Sequence, residues 1–90
     1  MNLQNAAALI TGGSSGIGRA IAQMLASSGA RVAITGRNKG RLTETAQALK
    51  VLPIVADVAS EADVQRTYRE FFKEFGELDI LVNNPGVGVF

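Results

Sequence analysis

Ninety residues, 47% of them hydrophobic and 19% charged, suit one globular domain and exclude a disordered or multi-domain chain. Cysteine and histidine are both absent, which removes disulfides, thiolate metal sites, cysteine nucleophiles and imidazole chemistry and fits a reducing cytoplasm. A net charge of +1 argues against a nucleic-acid partner. The short apolar N-terminal run, and the lack of any stretch near the ~20 apolar residues of a membrane span, argue against an export signal or a membrane role.

The first element in chain order is the apolar run Ala6–Ile10, which reads as a strand buried on both faces. It leads into Thr11-Gly12-Gly13-Ser14-Ser15-Gly16-Ile17-Gly18. A helix follows, with an expected apolar stripe of Ile17, Ile21, Met24 and Leu25 and a stop at Gly29. Arg31–Thr35 reads as a second strand, and Asn38 can cap a helix whose apolar face is Leu42, Ala46 and Leu49. Leu52–Val55 reads as a third strand. Ser60 and Asp63 resemble a capping box with Asp in place of the usual Glu. The third helix carries Val64, Tyr68, Phe71, Phe72 and Phe75 on one stripe and ends at Gly76. Asp79–Asn83 is a fourth strand, Asn84-Pro85-Gly86 a turn, and the chain stops at Phe90.

Strands alternating with helices predict an α/β fold with a parallel sheet and right-handed crossovers, so that helices cover both faces. Pro53 cannot donate to a ladder and belongs on an edge strand. That agrees with the strand order 3-2-1-4, in which the third strand is an edge, and places the end of the chain just beyond the fourth strand.

A glycine-rich connection from a buried strand to a helix N-terminus presents unpaired N–H groups and the positive end of the helix dipole, which suit a phosphate. Ser14 and Ser15 can add hydroxyl donors. A tight turn with no ligand is the other reading of the same pattern. Charge favours the anion: residues 1–43 hold five bases (Arg19, Arg31, Arg37, Lys39 and Arg41) and no acid, and the first acid is Glu44.

The spacing Thr11-Gly12-x-x-x-Gly16-Ile17-Gly18 resembles the cofactor loop of the classical short-chain dehydrogenase/reductase family. Asp57-Val58 and Asn83-Asn84-Pro85-Gly86 resemble further motifs of that family, in the same order, although Pro85 stands where the family usually has Ala. The resemblance covers the whole chain. It implies a Rossmann-type domain over residues 1–90 that binds a nicotinamide dinucleotide. The diphosphate is then expected at Gly12, Ser14, Ser15, Gly16, Ile17 and Gly18. Asp57 and Val58 are expected beside the adenine, and Asn83, Asn84 and Gly86 near the ribose. At the end of the second strand, where NAD sites place an acid, stands Arg37. Its guanidinium would pair with a 2′-phosphate, so NADP(H) is expected over NAD(H) by about tenfold to a hundredfold.

The family's catalytic Ser and Tyr-x-x-x-Lys have no counterpart here. Tyr68, the one tyrosine, has Lys73 at i+5, about 140° round a helix, and lies on the apolar stripe, which marks it as core. The expected function is therefore the NADP(H)-binding N-terminal part of an oxidoreductase that moves hydride between the cofactor and a carbonyl or alcohol, inactive alone. The alternative is a self-sufficient non-catalytic nucleotide-binding or oligomerising module. A fourth strand with one open edge invites a partner: a second copy, giving at least a dimer, or the remainder of a longer enzyme.

Overall fold

The computed structural model describes residues 2–14 and 16–84. Ser15, Pro85 and Gly86, each part of a sequence expectation, lie outside the described residues. The elements alternate as β1 (Ala7–Thr11), α1 (Gly16–Ser27), β2 (Arg31–Gly36), α2 (Lys39–Leu49), β3 (Leu52–Val55), α3 (Glu61–Phe75) and β4 (Ile80–Asn83). All pairings are parallel and the order is β3-β2-β1-β4. Leu9 of β1 lies level with Ala33 of β2 on one side and Leu81 of β4 on the other.

Alternation along the strands divides the core into two layers. Ala8, Ile10, Val32 and Ile34 face α1 and α2, where Ala22, Leu25, Leu42 and Ala46 complete the layer. Ala7, Leu9, Ala33 and Ile54 face α3 and enclose Phe71, which is fully buried. Pro53 is exposed on edge strand β3, level with Ile34, where its missing N–H breaks no ladder.

The buried stripe of α1 differs from the one expected. Ile17 is 73% exposed and Met24 57%, while Gly18, Ala22 and Leu25 face the sheet. The first turn lies so close to the strand ends that only a glycine fits there. Gly18 therefore sets the helix rotation, and the larger Ile17, one position earlier, turns outward.

Asn38 caps α2, its side chain accepting from the Arg41 N–H at 3.0 Å. Ser60 caps α3 by accepting from the Asp63 N–H. The reciprocal half of the capping box differs from the usual one. The Asp63 carboxylate accepts from the Asp57 N–H at 2.8 Å. Asp is one methylene shorter than Glu, and here it ties the helix to the preceding turn.

The C-terminus of α3 is pinned by Arg31. Its guanidinium donates to the carbonyls of Asn5 and Phe75, each at 2.9 Å, pairs with Glu77 at 2.6 Å and lies 5.5 Å from the centre of the Phe75 ring.

Candidate functional site

The loop between β1 and α1 lies at the C-terminal ends of the parallel strands, the end of the sheet where open α/β sheets form a crevice. Its glycines serve two purposes. A Cβ on Gly18 would overlap the carbonyl oxygen of Gly12 and lie 2.6 Å from Asn84 Nδ2. A Cβ on Gly12 would overlap the carbonyl of Asn84. These two positions are small because the protein's own chain passes there. Gly16, at φ 61°, is different: among the described residues a Cβ there would meet nothing within 4 Å. The first turn of α1, which begins at Gly16, contains no acid.

Hydrogen bonds fix the loop on both flanks. The Asn84 side chain donates to the Gly12 carbonyl at 3.2 Å, and the Asn84 N–H donates to Thr11 Oγ1 at 3.0 Å. The Thr11 hydroxyl donates to Asn83 Oδ1 at 3.0 Å. On the other flank, the Gly13 N–H donates to the Thr35 carbonyl at 3.0 Å, and the Gly12 N–H reaches Thr35 Oγ1 at 3.3 Å. The hydroxyl of Thr45, buried in α2, donates to the Ser14 carbonyl at 3.1 Å. Residues Thr11 to Ser14 are thus held by the protein's own hydrogen bonds.

Two cavities flank it. One, of about 470 Å³, lies between the loop and α2 and is lined by Ser14, Gly16, Arg19, Asn38, Arg41 and Glu44 among others. The second, of about 220 Å³, lies on the α3 side. Thr11, Thr35 and Asn83, at the ends of three strands, line it with Val58, Tyr68 and Leu81. The first is mostly polar and basic, the second mostly apolar.

The predicted site residues distribute around these features. Gly12, Ser14, Gly16, Ile17 and Gly18 form the loop and the first turn of α1. Asn83 and Asn84 meet that loop at the end of β4. Val58 borders the apolar cavity. Asp57 precedes it, with one carboxylate oxygen accepting from the Ala59 N–H at 2.9 Å, a turn bond. Arg37 follows β2 directly and is exposed, but does not border the basic cavity; Arg19 and Arg41 do. Tyr68 is half-buried against the Phe71 layer, its ring 6.5 Å from that of Phe72.

Sequence reasoning did not single out Thr35, Thr45 or Arg41 as site residues, nor the hydroxyl of Thr11 as a hub. Thr11 and Thr35 carried a faint signal, each a hydroxyl in an otherwise apolar stretch, which needs a hydrogen-bond partner once it leaves water; Thr45, beside Thr43 and Glu44 on a polar helix, carried none. Arg41 carried none, because its proximity to the glycine loop depends on how α2 packs.

A family model described as short chain dehydrogenase matches residues 6–90. Cis-2,3-dihydrobiphenyl-2,3-diol dehydrogenase of Pseudomonas sp. (strain KKS102) is 45% identical over 97% of this chain and 32% of its own length. Human 15-hydroxyprostaglandin dehydrogenase [NAD(+)] is 42% identical over 97% of this chain and 35% of its own. The structure of a Pseudomonas aeruginosa RhlG/NADP active-site complex superposes with a TM-score of 0.86 at 42% identity, over 92% of this chain and 35% of that one. The chain spans about a third of the length of these relatives.

Proposed function

The chain belongs to the short-chain dehydrogenase family, and we propose that residues 1–90 are the dinucleotide-binding domain of an NADP(H)-dependent oxidoreductase, its N-terminal part. The observation that carries this reading is the first turn of α1. It is free of acids and opens at Gly16 onto space that no described residue fills, and the loop leading to it is braced at Gly12 by hydrogen bonds with the β2 and β4 ends. N–H groups so oriented suit a diphosphate without further reorganisation.

In this reading the N–H groups of Gly16, Ile17 and Gly18 and the hydroxyls of Ser14 and Ser15 hold the diphosphate, and Gly12 gives the loop its close turn. Val58 offers an apolar wall to the adenine and Asp57 a carboxylate beside it. Asn83, Asn84 and Gly86 border the ribose. The cofactor supplies hydride exchange with a carbonyl or alcohol of the parent enzyme; these residues bind and orient it. No Tyr-x-x-x-Lys lies within the 90 residues, so the chain alone is inactive in this account. A cytoplasmic location fits its lack of cysteine, and among the described residues no helix is long and apolar enough to cross a membrane.

One relative is named for NAD(+) and one related structure holds NADP, so the choice between them rests on this chain's own charges. Arg37 stands where an acid would repel a 2′-phosphate, and residues 1–43 contain no acid at all. Calorimetric titration with NADPH and NADH tests the preference. NADPH is expected to bind at least about tenfold more tightly, and Arg37→Ala to weaken NADPH far more than NADH. Equal affinities, or equal losses, would remove the argument.

A further inference from the structure

The turn after β3, which carries Asp57 and Val58, is tied to α3 by side chains from two helical turns. In a capping box the third helical residue reaches back to the N–H of the capping residue itself. Here the Ser60 N–H donates instead to the Asp57 carbonyl at 2.9 Å. Asp63 reaches three residues further and accepts from the Asp57 N–H at 2.8 Å. Arg66, one turn along α3, donates to the Val55 carbonyl. Its guanidinium is steered by Glu70 at 2.8 Å and Asp63 at 3.6 Å. Between these two anchors the Ala56 N–H donates to the Gly36 carbonyl of β2 at 3.0 Å. Three consecutive residues, Val55 to Asp57, are thus fixed to both the sheet and the helix. The half-buried Asp57 gives one carboxylate oxygen to the Ala59 N–H at 2.9 Å. Among the described residues no hydrogen bond occupies its other oxygen.

We propose that Asp63 is a positioning residue for base recognition: by holding the Asp57 N–H it presents the uncommitted Asp57 oxygen to the exocyclic amine of the adenine. This rests on the dinucleotide reading above, in which Asp57 lies beside the base. A carboxylate that recognises one amine must be held to within about 0.5 Å, which anchors on neighbouring elements supply and a free turn does not. The two anchors on α3 are unequal. Asp63 makes a short charge-assisted bond to the backbone of Asp57 itself. Its pair with Arg66 is longer, with side chains 34% and 39% exposed, and a pair so placed adds little. Asp63 therefore carries most of the effect, through the Asp57 N–H and not through Arg66.

The test uses the whole chain and two probes that differ at one group of the base: NADPH and its hypoxanthine analogue, in which a carbonyl oxygen replaces the amine. Their affinity ratio is measured by calorimetry for the wild type, Asp63→Ala and Asp63→Asn, with circular dichroism as a check on folding. Ser60 still caps α3 in both variants. Partial unfolding would lower both apparent affinities by the same factor, so the ratio reads positioning and not stability. The wild type is expected to favour NADPH by at least about fivefold, and Asp63→Ala to cut that preference by about three- to fivefold. Asp63→Asn keeps an oxygen that can accept from the Asp57 N–H and is expected to hold the wild-type ratio to within about twofold. A wild type without preference would show that the positioning role is wrong while the dinucleotide reading stands. So would an unchanged ratio in Asp63→Ala, or a loss as large in Asp63→Asn as in Asp63→Ala. If neither probe binds the wild type, both are wrong.

Discussion

One added methyl group separates the loop glycines into two kinds. At Gly18 it would strike the Gly12 carbonyl oxygen, a backbone atom that cannot rotate away. Gly18→Ala is expected to cost about 1–3 kcal/mol by overpacking and to push Asn84 off the loop. At Gly16 the methyl meets no described residue, and the cost is the left-handed backbone at φ 61°, about 1–2 kcal/mol for an L residue. Urea unfolding measures both losses, and nucleotide titration separates the variants further. In Gly18→Ala the loop shape changes; in Gly16→Ala the new methyl stands in the space assigned to the ligand. A Gly18→Ala protein as stable as the wild type would contradict the packing described. The sequence shows that glycines are needed here but not which neighbour needs each one. Gly18 is crowded by the Gly12 carbonyl within the motif, but Gly12 is crowded by Asn84, and Gly18 by Asn84 too, more than 60 positions away, and spacing within the motif carries no trace of that neighbour.

Among the elements, β3 and its proline were readable because a proline's missing N–H has a single consequence in a ladder. Pro53 indicated an edge, which agrees with the order β3-β2-β1-β4 expected of a doubly wound sheet and found in the structure. The face of α1 was misread for an equally local reason. Counting large apolar residues selects Ile17 and Met24, whereas a helix packed close to a sheet buries small ones, here Gly18 and Ala22. Arg31 joins three elements: the segment before β1, β2 itself and the end of α3. Its bonds to the Asn5 and Phe75 carbonyls are expected to matter more than its pair with Glu77, which is 60% exposed and screened by water. Arg31→Met is expected to cost about 1–3 kcal/mol through the lost charge-assisted hydrogen bonds. Glu77→Gln should cost less than about 1 kcal/mol. Thermal unfolding of both variants tests the ranking, and equal losses would shift the weight to the ion pair.

At the scale of the whole molecule, the two sheet edges are built differently. On β3, Pro53 lacks a donor, and the Arg66 guanidinium donates to the Val55 carbonyl. On β4, Leu81 is 49% exposed and Phe72 of α3 45%, and among the described residues no strand pairs with its outer side. An apolar edge without a charge or proline is prone to pair. Self-association of this chain is therefore expected in sedimentation velocity, and Leu81→Lys should shift the distribution toward monomer. A wild type that stays monomeric at high concentration would show that the edge is tolerated as it stands. The nucleotide account depends on something more local, the backbone amides where α1 begins. Amide chemical shifts of the isotope-labelled chain, followed during titration with NADPH, test it most directly. The account predicts saturable shifts concentrated at Gly16, Ile17 and Gly18, with smaller ones at Val58 and Asn83. Binding that leaves those three amides unmoved, or no shift anywhere at saturating NADPH, would contradict it.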